Sequence, residues 1–142
     1  MVNIHASCVN LNGVGVLIFG KSGSGKSDLV LRLIKTIGAI LIADDRTEII
    51  LKKHKIIASC PQKIQGLLEV RGVGIIKLPF EQETSVSLVV ELVDDINKIE
   101  RHPEPTFWEF EKVKIRKIYL YPFEESAIYK LQLACDENLQ VY

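Results

Sequence analysis

Gly13 to Ile34 reads GVGVLIFGKSGSGKSDLVLRLI. Its centre, Gly20-Lys21-Ser22-Gly23-Ser24-Gly25-Lys26-Ser27, meets every required position of G-x-x-x-x-G-K-[ST]. The chemistry behind that pattern is anion capture. Glycine tolerates positive φ, so successive backbone N–H groups can turn inward around a phosphate. Lys26 adds a compact cation for the outer phosphates, and Ser27 a hard hydroxyl oxygen of the kind Mg²⁺ prefers. The flanks agree. Val14, Val16, Leu17, Ile18 and Phe19 form a β-prone run before the loop. Leu29, Val30, Leu33, Ile34 and Ile37 make one apolar helix face after it, and Gly38 is a natural stop. A strand, a glycine loop and a helix N-terminus in that order form a phosphate cradle.

Working outward, Ala39-Ile40-Leu41-Ile42-Ala43 reads as a fully buried strand ending in Asp44-Asp45. A carboxylate at such a strand end commonly holds Mg²⁺ beside a phosphate loop. Side chains alternate along a strand, so Asp44 and Asp45 are expected to point apart, one to the metal and one to an incoming hydroxyl. Repulsion between them raises the proton affinity of one, which suits a general base. Further on, Leu67-Leu68-Glu69-Val70-Arg71-Gly72-Val73-Gly74-Ile75-Ile76 sets Glu69 and Arg71 in alternation with apolar residues. Both then share one face, and Gly72 and Gly74 permit close backbone approach.

The remaining chain is strand-rich. Thr47–Leu51 and Ile56–Cys60 are expected as strands around Lys52-Lys53-His54-Lys55, and 61–68 as a short helix. Further strands are expected at Gly74–Leu78, Ser85–Leu92, Val113–Tyr121 and Ala127–Ala134. The segment from Asp94 to Trp108, with Pro103 and Pro105, reads as loop or short helices. A doubly wound protein alternates strand and helix throughout; here that happens once. The expected fold is α/β, a mixed β-sheet carrying one phosphate loop and its helix, in a single domain over 1–142.

Composition narrows the function. The chain has 142 residues, with 18 Lys and Arg against 18 Asp and Glu. Balanced charge without a single-sign block argues against nucleic acid as the main partner. No apolar run approaches the ~18–20 residues of a membrane span, and MVNIHASC lacks the basic-then-apolar pattern of a secretion signal. Cys8, Cys60 and Cys135 are scattered and odd in number, forming neither a zinc pattern nor a disulfide framework. A cytoplasmic protein is expected.

Ile4-His5-Ala6, GKSGSGKSD, LIADDR and LLEVRGVGIIKLP, in that order and spacing, resemble the catalytic domain of bacterial HPr kinase/phosphorylase. The resemblance covers Met1 to Leu92 closely and the last third loosely. It implies a fold similar to that of phosphoenolpyruvate carboxykinase rather than of eukaryotic protein kinases. It implies ATP- and Mg²⁺-dependent phosphorylation of a serine on HPr, the small carrier of the sugar phosphotransferase system, by a homo-oligomer, typically a hexamer. Family members also remove that phosphate with inorganic phosphate as the attacking group. By the same resemblance Asp45 is the acid/base residue, with Asp44 beside it. Lys26 contacts phosphates, and Ser27 and Glu69 lie at the metal. Arg71 follows the metal-associated glutamate, His5 lies near the acid/base aspartate, and Arg101 matches a later catalytic arginine.

Two departures stand out. Larger members carry a domain ahead of the kinase domain, where this sequence opens. They also carry a late basic Pro-Gly-Arg-Asn element tied to dephosphorylation. Here Tyr121-Pro122-Phe123-Glu124-Glu125-Ser126 takes its place, and its glutamates count against the reverse activity.

Three other functions fit a phosphate loop. A small-molecule kinase needs a substrate lid and an arginine-rich pocket after the loop; no such cluster is evident, and the chain is short for one. A nucleotide-dependent switch finds only Asn97-Lys98-Ile99-Glu100, an imperfect copy of the guanine-reading N-K-x-D, with no D-x-x-G. A regulator without transferase activity has no use for Lys26, Ser27, Asp45 and Glu69 together.

Overall fold

The computed structural model describes residues 1–142. Strands β1 (Val2–Ile4), β2 (Ala6–Leu11) and β3 (Val14–Phe19) precede helix α1 (Lys26–Ile37). Then come β4 (Ile40–Ala43), β5 (Thr47–Lys52), β6 (Lys55–Ser59), β7 (Leu67–Val70), β8 (Gly74–Lys77) and β9 (Glu83–Leu92). Strands β10 (Thr106–Phe110) and β11 (Val113–Leu120) lead to a second helix, α2 (Ala127–Ala134).

The main sheet runs β1-β5-β6-β9-β3-β2-β4, with β11 also on β9 and β10 outside it. Strand β9 organises it. Its first residues, Glu83–Ser85, pair antiparallel with β6. From Val86 onward it pairs parallel with β3, and Val89–Leu92 pair parallel with β11. One long strand thus belongs to two differently directed ladders, and the sheet curls about it.

Alternation along the strands builds a core on each face. Val16, Ile18, Leu88 and Val90 pack with Leu29, Val30 and Leu33 of α1 and with Ala127, Ile128 and Leu131 of α2. Leu17 and Val89 point the other way and meet Ile42, Ile49, Ile56 and Ala58 under the curled β5–β6 hairpin. No helix is long and apolar enough to cross a membrane.

Three hairpins close through two-residue turns, Asn12-Gly13, Lys53-His54 and Glu111-Lys112, in which both residues have positive φ. That backbone twist matches the twist of the flanking strands. Only Asn12-Gly13 announces it in sequence. Helix α1 stops where expected: Gly38 is left-handed at φ 74° and its N–H donates to the Leu33 carbonyl.

Several expectations are corrected. Residues 127–134 form a helix, not a strand, because Ala127, Ile128 and Leu131 together face α1 and its core. The 61–68 helix shrinks to a 3₁₀ turn at Gln62–Ile64 before β7 begins. Thr106–Trp108, the end of the Asp94–Trp108 segment expected as loop or short helices, belongs to strand β10, which pairs with β11 as the sheet's outer strand; an edge position tolerates the prolines just before it. The strand after α1 is not fully buried, since Ile40 is 37% exposed on its outer side.

Gly15 fixes how closely β3 and β9 approach. A Cβ there would lie 2.1 Å from the Ser85 carbonyl oxygen and 2.9 Å from Thr84 Cγ2, at the point where the β3–β9 register shifts. Gly15→Ala is therefore expected to cost about 1–3 kcal/mol or more, as overpacking does. Urea unfolding should show a lower midpoint; an unchanged one would mean that β9 moves aside freely.

Candidate active site

Helix α1 starts on a left-handed Gly25, φ 100°, with no side chain capping its N-terminus. The first-turn N–H groups have no intrahelical acceptor, and the helix dipole adds partial positive charge there. These groups open into a cleft of about 510 Å³ lined by loop residues Ser22, Gly23 and Gly25, by Lys26, Ser27, Asp28 and Leu31 of α1, and by Asp44 and Asp45. Glu69, Val70, Arg71 and Phe123 complete it.

Lys26 is 5% exposed. Its Nζ donates to the carbonyls of Gly20 at 2.6 Å and Lys21 at 3.2 Å, closing the loop on itself. Burial lowers the ammonium's proton affinity, and the charges of Asp45 and Asp44 oppose that. Space at Gly20 is tight: a Cβ would fall 2.4 Å from Ser24 Oγ, which would have to rotate away, and 3.2 Å from Leu92 Cβ. The Ser24 hydroxyl is itself buried without a hydrogen-bond partner.

Asp44 is buried and gathers donors. Ser27 Oγ lies 3.0 Å from both of its carboxylate oxygens. Ser7 Oγ donates to Oδ1 at 3.0 Å. Burial pushes the Asp44 carboxyl up; hydrogen bonds from Ser27, Ser7 and the Glu69 backbone pull it back, and the charge of Asp45 adds a smaller upward push. The sequence expectation is corrected here. The raised proton affinity falls on Asp44, and desolvation rather than repulsion leads it.

Asp45 points elsewhere, as expected, but for another reason. The strand ends at Ala43, so no pleat separates the two side chains. Asp45 is left-handed at φ 68°, a conformation aspartate tolerates better than most residues. Its N–H donates to Ser7 Oγ at 3.0 Å. The side chain is 60% exposed and meets His5 Nε2 through Oδ1 at 2.7 Å. His5 lies between β1 and β2, so the sheet itself brings the N-terminal histidine to the strand end.

Glu69 sits on β7 and Arg71 in the turn beyond it, because β7 ends at Val70. Both still reach the cleft. Gly72 and Gly74, at φ 87° and 124°, shape the tight β7–β8 turn. Arg101 is exposed in the segment after β9 and does not line the cleft. Asn97-Lys98-Ile99-Glu100 forms no reading head: Asp95 caps a 3₁₀ turn there, and Lys98 Nζ binds Asp94 at 2.6 Å.

Two residues at the site escape sequence reasoning. Ser7 links both aspartates from inside β2, and its one signal is a hydroxyl at a buried strand position facing Ala43-Asp44-Asp45. Phe123 carries no motif at all.

The donor set suits Mg²⁺. Ser27, Asp44 and Glu69 line the cleft with hard oxygens of the kind that ion prefers. A cavity of about 610 Å³ near Leu11, Gln132, Cys135 and Glu137 is larger. It brings together no comparable set of cation, hydroxyl and paired carboxylates, so size does not decide between them.

The chain is similar to known proteins of one family. Residues 1–126 match the family model described as HPr Serine kinase C-terminal domain. The chain is 40% identical over 120 residues to the HPr kinase/phosphorylase of Geobacillus kaustophilus, covering 79% of this chain and 38% of that one. It is 37% identical over 99 residues to that of Alkaliphilus metalliredigens, covering 64% and 32%. The chain thus spans about a third of the length of such curated relatives. Its fold superposes on the HPr(Ser) kinase/phosphatase from Coxiella burnetii with a TM-score of 0.83 and 26% identity, covering 94% of each. With a helix N-terminus, a lysine-closed loop and two divergent aspartates at its centre, the chain belongs to the HPr serine kinase C-terminal domain family.

Proposed function

We propose that this chain transfers the γ-phosphoryl group of ATP to a serine of HPr, with Mg²⁺ as cofactor. The carrying observation is that one cleft joins the uncapped α1 N-terminus, Lys26, the Ser27–Asp44 pair and the His5–Asp45 pair. On this reading Gly20–Ser27 is a phosphate loop of the kind the phosphoenolpyruvate carboxykinase fold carries. Its free N–H groups and Lys26 hold the triphosphate. Ser27, Asp44 and Glu69 would hold Mg²⁺, which when bound neutralises charge on the phosphate oxygens.

Asp45 is the base. His5 occupies Oδ1 and orients the carboxylate, leaving Oδ2 for the serine proton. As that proton moves to Asp45, the serine oxygen bonds to the γ-phosphorus. The bond from phosphorus to the bridging oxygen breaks, and ADP departs with its electron pair. Catalysis is then positioning and charge stabilisation. The 121–126 loop sets Glu124, paired with Lys130, and the exposed Glu125 beside Phe123. No new cation for inorganic phosphate enters with it, so phosphorolysis is expected to be the slower direction. Three free cysteines accord with a cytoplasmic setting.

Labelled ATP with purified HPr tests the transfer. Removing ATP and adding inorganic phosphate then tests reversal. No label on a serine of HPr would end the reading. Asp45→Asn should lose about 10²–10⁴-fold in kcat while still binding ATP; near-full activity would remove Asp45 from the mechanism. Ser7→Ala strips a donor from Asp44 and an acceptor from the Asp45 amide. About 1–3 kcal/mol of stability should go with it, read as a lower melting temperature, together with weaker Mg²⁺ dependence. An unaffected Mg²⁺ titration would show that Ser27 and the Glu69 backbone suffice to orient Asp44.

A further inference from the structure

We propose that Phe123 is the stacking platform for the nucleotide's base, with Leu31 and Val70 completing an apolar subsite. The proposal rests on reading Gly20–Ser27 as the triphosphate cradle.

Phe123 is 58% exposed, yet it is firmly placed. The outer edge of its ring, Cζ and Cε1, would stand 3.0 and 3.1 Å from a Cβ on Gly25. The ring therefore borders the last glycine of the loop. Arg32 Nη2 donates to the Pro122 carbonyl at 2.5 Å and Nε to Asp28 Oδ2 at 3.0 Å, tying the 121–123 segment to α1. Tyr121 meets the ring edge-on at 5.7 Å. A T-shaped contact engages at most one ring face. An aromatic ring held rigid but left open is pre-organised for a flat partner.

Helix geometry gives the direction. Asp44 engages α1 through Ser27, and Pro122 engages it through Arg32. Five residues along a helix turn about 140° around its axis. The carboxylates and the aromatic ring thus flank the helix N-terminus from different sides. Leu31, one turn beyond Ser27, lines the cleft between them. A triphosphate whose outer end lies at Asp44 and Asp45 crosses the helix N-terminus and leaves its nucleoside on the Phe123 side. There the apolar members of the lining, Leu31, Val70 and Phe123, offer what a base needs. Stacking on an aromatic ring is tolerant of base identity because every base has a π-face.

The test compares ATP with inorganic tripolyphosphate, which has the phosphates but no base. Binding to the full chain is measured by calorimetry for wild type, Phe123→Ala and Phe123→Trp. Phe123→Ala should weaken ATP by about 5- to 150-fold and leave tripolyphosphate within about twofold. Phe123→Trp should restore ATP affinity, and the added indole fluorescence should respond to ATP but not to tripolyphosphate. Equal losses for both ligands would overturn the proposal, because the ring would then only shape the loop. Unchanged ATP binding with a raised KM for HPr would overturn it in favour of contact with the protein acceptor. Failure of wild type to bind either ligand would instead fell the phosphate-cradle reading, and this proposal with it.

Discussion

The buried carboxylate of Asp44 ties the site together. It accepts from Ser27 at the start of α1 and from Ser7 within β2, while its own backbone terminates the β4 strand. A carboxylate taken out of water is costly unless donors replace its hydration. Here two hydroxyls and the Glu69 backbone supply them. The arrangement is therefore mutual. The donors offset part of the desolvation of Asp44, and Asp44 ties together helix, strand end and β7. Ser7 extends the constraint one residue further, since the same hydroxyl accepts the Asp45 N–H and holds that residue's left-handed turn.

Charge is distributed to match. The chain as a whole is neutral, with 18 cationic and 18 anionic side chains, so no net charge attracts phosphate to it. Local placement takes over. An uncapped helix N-terminus and Lys26 face Asp44 and Asp45 across one cleft. Lys26 is buried and bound to two loop carbonyls. In that low-dielectric position its charge acts more strongly than a surface lysine's would; burial lowers the ammonium's proton affinity, and the charges of Asp45 and Asp44 offset part of that.

Much of this was legible in the chain. The strand, glycine loop and helix follow from φ requirements and apolar spacing, and the Gly38 stop falls where the spacing predicts. The meeting of His5 with Asp45 is not readable from local pattern; only the family resemblance pointed to it. Helix α2 was misread because Tyr129 and Leu133 are apolar yet exposed, which blurs the helical stripe into the semblance of a strand. Lys53-His54 and Glu111-Lys112 lack the Asn-Gly signature, so their turns are imposed by strand pairing rather than by local preference. Ser7 and Phe123 were invisible for a shared reason. Each acts through a neighbour distant in sequence, and a single hydroxyl or ring has no periodicity to reveal it.

The proposed function gives the two aspartates different tasks, and the fold separates them in a way that suits both. A carboxylate that holds a metal benefits from rigidity, and Asp44, 8% exposed, has it. A carboxylate that takes a proton from an incoming hydroxyl must be reachable, and the Asp45 side chain is 60% exposed with only His5 beside it. A closed pocket would bury both, as suits a small acceptor sealed from water. An open base instead suits an acceptor that brings its own surface and excludes water by docking. The left-handed turn at Asp45 provides that separation within a single residue step. On the proposed function, the openness at Asp45 suits a folded protein better than a metabolite as the phosphoryl acceptor.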